Sequence, residues 1–61
     1  MKQRLTDRYG KTIGWTDDQG DRIWLTDEYG RQLGYYSYSY DATFTATGQR
    51  IGNGNILGTL L

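Results

Sequence analysis

Three copies of one motif leave this chain little freedom in how it folds. Thr6-Asp7-Arg8-Tyr9-Gly10, Thr16-Asp17-Asp18-Gln19-Gly20 and Thr26-Asp27-Glu28-Tyr29-Gly30 follow one another at a period of ten residues. In each, Ile or Leu stands three places after the glycine (Ile13, Ile23, Leu33), followed by Gly14, Trp24 or Gly34. Asp at the first position of a type I turn accepts a backbone hydrogen bond from two residues on, and Gly at the fourth takes positive φ without steric cost. A type I turn closed by a left-handed Gly is a hairpin with a bulge at its mouth. Asp7 is therefore expected opposite Lys11, Asp17 opposite Asp21, and Asp27 opposite Arg31.

Counting outward from those pairs predicts strands over roughly 2–6, 11–16, 21–26 and 31–37. One face collects Leu5, Ile13, Leu25 and Leu33 with Trp15, Ile23 and Tyr35. The other collects the row Gly14-Trp24-Gly34, with Thr6, Thr12, Thr16 and Arg22. A one-residue slip would scatter the aliphatics over both faces. A glycine beside an aromatic leaves room for the ring to lie across the neighbouring backbone, which makes Trp24 a packing residue of the second face.

Past Gly34 the rhythm changes. A turn is expected within Ser37 to Asp41, a fifth strand over Ala42-Thr43-Phe44-Thr45, and a degenerate turn at Thr45-Ala46-Thr47-Gly48, with Gln49-Arg50-Ile51-Gly52 repeating the motif's ending. The fold class is all-β: an antiparallel meander of five to six short strands joined by Asp-x-x-Gly hairpin turns, with an apolar C-terminal tail, in a single domain over 1–61. The tail from Asn53 to Leu61 is too short for an independent helix and too apolar to dangle. It reads as a cover across the aliphatic face or a neighbouring subunit.

A domain of this size buries only about 60% of its unfolded surface. The sequence holds no Cys or His to supply a disulfide or the usual metal ligands, so homo-oligomerisation is the expected supplement. Formal net charge is zero, which argues against a sequence-independent grip on nucleic acid. All charged side chains except Asp41 and Arg50 lie in the first 31 residues, so the second half is suited to facing protein. Ile56, Leu57, Leu60 and Leu61 are the expected interface residues. Met1-Lys2-Gln3-Arg4 opens without an apolar run like that of a signal peptide, and no stretch has the length of a membrane span, so a cytoplasmic protein is expected.

Six carboxylates sit in or beside turns, where turn bonding explains them, and without His or Cys no nucleophile and base pair up, so no catalytic residue is assigned. Asp17, Asp18 and Asp21 crowd one turn, but their spacing matches no EF-hand loop, and turn chemistry is preferred to a metal site. No cofactor is expected. Tyr35, Tyr36, Tyr38 and Tyr40 alternate with or follow one another so that rings reach both faces. With Trp24 and Phe44 they are the candidate binding residues, for stacking on a small ligand or packing within an oligomer.

The recurrence of Tyr/Thr-Asp-x-x-Gly-x-x-Ile/Leu-Gly over residues 6 to 52, with a Gly-Asn-x-Leu tail, resembles the small four-fold β-flower proteins of bacteria and phages. The motif is also similar to the tyrosine-aspartate repeats of RHS proteins. Trp24 in place of Gly and the spacing before the fourth copy depart from the regular pattern. The resemblance implies compact short hairpins and no defined activity. It also implies a phage or prophage setting, in a host cytoplasm or a virion, for a non-enzymatic structural or accessory protein acting through homo-oligomer assembly or within a larger assembly. The alternative is an oligomeric sequestering protein that holds a nucleotide or other small ligand.

Overall fold

The computed structural model describes all 61 residues. Six strands form one antiparallel sheet: β1 (Lys2–Thr6), β2 (Thr12–Asp18), β3 (Arg22–Asp27), β4 (Gln32–Ser37), β5 (Ala42–Thr45) and β6 (Arg50–Asn53). They lie side by side in chain order, and a short 3-10 helix, Leu57–Leu60, ends the chain. No helix is long and apolar enough to cross a membrane.

The first and third turns form as the motif dictates. The Asp7 and Asp27 carboxylates each accept two backbone N–H bonds, at 2.8–3.0 Å, from the residues two and four places on. Gly10 and Gly30 close these turns at φ +81° and +86°. At the fifth turn, the degenerate copy, the Thr45 hydroxyl replaces the carboxylate by accepting the Gln49 N–H at 3.1 Å, and Gly48 sits at φ +94°.

The second turn differs from expectation. Asp17 remains in β2 opposite Trp24, the Gln19 N–H bonds to the Arg22 carbonyl at 2.9 Å, and Gly20-Asp21 forms the tip. Here Asp18, one residue later than expected, accepts the Gly20 N–H at 3.0 Å. Gly20 alone of the two tip residues has positive φ, the pattern of a two-residue II′ hairpin. The fourth connection spans Tyr38 to Asp41, within the expected range, and Asp41 takes φ +47°, a region that Asp tolerates better than most residues.

The strand register departs from expectation for one recurrent reason. Thr6 faces Thr12, but Leu5 faces Gly14, so Ile13 is an extra residue in β2. Leu33 is likewise extra opposite β3, and Ile51 opposite β5. Each bulge falls at the motif's aliphatic position and reverses the in-out order beyond it. Trp15 and Tyr35 consequently leave the aliphatic face, while Gly14 and Gly34 join it. The row Gly14-Trp24-Gly34 does not form, since Trp24 stands between Asp17 and Tyr35. The structural unit is thus a bulged hairpin of two motif copies, with turn glycines Gly10 and Gly30 twenty residues apart.

The tail covers the aliphatic side of its own sheet, using the motif's second glycine as a socket. A Cβ on Gly34 would stand 2.6 Å from Leu60 Cδ1, one on Gly52 2.7 Å from Ile56 Cδ1, and one on Gly14 3.2 Å from Leu61 Cδ2. Thr43 anchors the entry to the tail: its hydroxyl donates to the Gly54 carbonyl at 2.7 Å and accepts the Ile56 N–H at 3.0 Å. Leu25, Ala42 and Leu57 are the buried apolar residues, and only 7 of 61 residues are buried in all, so the core is small even for this length.

Candidate functional site

With one face under the tail, the other is open except around Ser37 and Ala42, which are buried. Cross-strand neighbours share a face, and the register builds the open face as three rows. The first is Arg4-Trp15-Thr26-Gln32, the second Lys2-Asp17-Trp24-Tyr35-Phe44-Arg50, and the third Arg22-Ser37-Ala42-Asn53. This face therefore carries four of the chain's seven basic side chains and one of its seven carboxylates. Asp17 receives the N-terminal amino group at 3.1 Å; that hydrogen bond, first among its influences, holds its carboxyl below the usual 3.8.

Four of the six candidate binding residues meet on this face. Trp24 and Tyr35 rings lie 4.8 Å apart, and Tyr35 stacks on Phe44 at 5.2 Å with planes 17° apart. Tyr40 meets Phe44 edge-on at 6.1 Å. Two rings lying side by side in one plane could not approach this closely, so Tyr35 and Phe44 direct their faces at each other. The Arg22 guanidinium lies 4.9 Å from the Tyr35 ring centre and 5.8 Å from that of Trp24, within cation–π range. This row is internally satisfied: it presents ring edges and a positive rim.

Trp15 is different. It has no aromatic or cationic partner in the chain and is only half-buried. It borders an open cleft of about 710 Å³ with Lys2, Asp17, Thr26, Gly30 and Gln32, of which it is the sole apolar member. Sequence reasoning placed Trp15 among the aliphatics and missed it. The signal lay in the twenty-residue unit, where Trp15 and Tyr35 occupy the same offset after Gly14 and Gly34.

Tyr36 and Tyr38, the other two candidates, lie on the covered side with rings edge to face at 5.2 Å. Tyr36 donates its hydroxyl to Asp41 and Tyr38 to Asp18, both at 2.7 Å. These hydrogen bonds are the main reason that both phenols are raised above 10.0, and the Tyr38 bond is the main reason that Asp18 is lowered from 3.8. The three carboxylates at the second turn are all engaged: Asp17 by the amino terminus, Asp18 by Tyr38 and Gly20, Asp21 by Arg22 at 3.4 Å.

On the covered side the tail leaves a groove of about 560 Å³ between itself and β1–β2. Leu5, Ile13, Ile23 and Leu25 line it with Leu57 and Leu61 of the tail. Of the four expected interface residues, Leu57 is buried in its own chain and Ile56 and Leu60 sit over glycines, whereas Leu61 remains 49% exposed. Compared with known proteins, the chain matches no family model, no curated protein and no solved structure.

Proposed function

We propose that the protein is a non-enzymatic interaction module that works by self-association, a second copy closing the aliphatic groove beside the tail. The observation that carries this is the groove itself, which remains open beside half-exposed Leu61 in a chain with only 7 buried residues. Apolar burial contributes about 25 cal/mol per Å2, so covering these side chains supplies what the small core lacks. Among the residues bordering the groove only Arg4 is charged, and the register assigns it to the opposite face of the sheet, so little desolvation opposes closure. The likeness to β-flower proteins adds a setting: a structural or accessory component of a phage-type assembly.

Light scattering at micromolar concentration is expected to give at least a dimer mass. Leu61→Glu should shift it to monomer while circular dichroism stays that of the folded sheet. A wild-type monomer across the whole concentration range would falsify self-association.

Ligand binding is a second reading, and the open face favours it: unpartnered Trp15 stands in a polar cleft on a basic surface.

A further inference from the structure

The ligand-binding reading of the open face can be sharpened to a ligand class. We propose that the Trp15 cleft binds a nucleoside phosphate, with the base on the Trp15 ring and the phosphate on Lys2 and Arg4. The assignment rests on the order of side chains across four adjacent strands, Arg4, Trp15, Thr26 and Gln32, each about 4.8 Å from the next.

Each position matches one part of such a ligand. The cleft's single apolar feature is a flat ring free of any stacking partner, so it suits a ligand whose own apolar feature is a flat ring. On one side of Trp15 lie Arg4 and, along the same strand, Lys2. Both are exposed and neither is in an ion pair, leaving a guanidinium fork and an ammonium for phosphate oxygens. On the other side Gln32 carries an amide that donates and accepts at once, the requirement for reading a base edge. Asp17 also lines the cleft, but the amino terminus at 3.1 Å offsets its charge, so Lys2 in the lining and Arg4, which is outside the lining but faces Trp15 across the β1–β2 register, set the local sign. The stacked row of Trp24, Tyr35 and Phe44 offers no comparable place, because its ring faces are turned on one another and on Arg22. Zero net charge does not oppose this ligand, since the cations are gathered on the face that would meet it.

Nuclear magnetic resonance of the isotope-labelled full chain tests the proposal, titrating with a nucleoside 5′-monophosphate, the matching nucleoside, ribose 5-phosphate and inorganic phosphate. The monophosphate is expected to give saturable shifts at the Trp15 indole N–H and the Gln32 side-chain amide. Its affinity should exceed that of the other three compounds by about tenfold or more. Trp15→Leu, and Lys2→Gln combined with Arg4→Gln, should each weaken it by about tenfold. Gln32→Ala, at an exposed position, gives a folded variant with the same expectation should Trp15→Leu lose its spectral dispersion. Equal binding of inorganic phosphate, of ribose 5-phosphate or of the nucleoside at this cleft overturns the nucleotide assignment and leaves ligand binding standing. Absence of saturable shifts with all four up to millimolar concentration overturns both.

Discussion

The Thr43 hydroxyl, in a fully buried residue, satisfies two backbone groups at once, the Gly54 carbonyl and the Ile56 N–H, where the chain leaves the sheet for the tail. Thr43→Val keeps the shape but strands both groups, so urea unfolding should show a loss of about 1–3 kcal/mol. Thr43→Ser, which keeps the hydroxyl, should lose less; a valine variant no less stable than the serine one counts against the anchor. The Tyr38–Asp18 hydrogen bond can be tested by pH. Asp18 is lowered from 3.8, so its share of stability is present above that value and lost as pH falls through the lower folded one. Tyr38 is raised from 10.0, so its share is full below that value and lost as pH rises through the higher folded one. The melting-temperature gap between wild type and Tyr38→Phe should therefore be flat from about pH 5 to about pH 9 and narrow at both extremes. A gap that stays constant outside that window would show that the bond contributes nothing.

The glycines after the bulges and the glycines of the turns serve different purposes, and substitution separates them. At Gly10 a Cβ meets nothing within 4 Å, so alanine there bears only the cost of positive φ. At Gly34 it meets the Phe44 carbonyl oxygen and Leu60, and Gly34→Ala should cost about 1–3 kcal/mol through overpacking. In a Leu60→Ala background that cost should shrink, since one of the two obstacles is gone. Strictly additive effects in the double-mutant cycle would mean that Leu60 is not seated on Gly34. The turns were legible in the sequence because Asp7, Asp27 and their glycines act over five residues, and the same local logic located β5 and the Thr45 turn. Bulges at Ile13, Leu33 and Ile51 were not legible: an aliphatic residue three places after a turn glycine fits a paired position as well as an unpaired one. That ambiguity put Trp15 and Tyr35 on the wrong face and hid the cleft. Asp17 and Asp18 posed the same difficulty, because either can begin a turn, and it is Asp18 that accepts the Gly20 N–H.

The molecule is a twisted plate of 33 × 21 × 18 Å with unlike sides. One side is partly covered by aliphatic residues from the chain's own tail, and the other carries aromatic rings among cations. Its seven positive and seven negative side chains cancel in the sum, yet most of the cations not tied to turns stand on the open face and the carboxylates lie mainly along the turns and the covered side. A neutral body divided in this way has a permanent dipole across its thickness. In solution it experiences a torque before it experiences a net force: an approaching anion first turns the plate, presenting the open side, and only then draws it in. Encounter rates with anions should therefore fall with added salt over the length scale of ionic screening, about 8 Å at physiological ionic strength, even though the protein does not migrate as a charged particle near neutral pH.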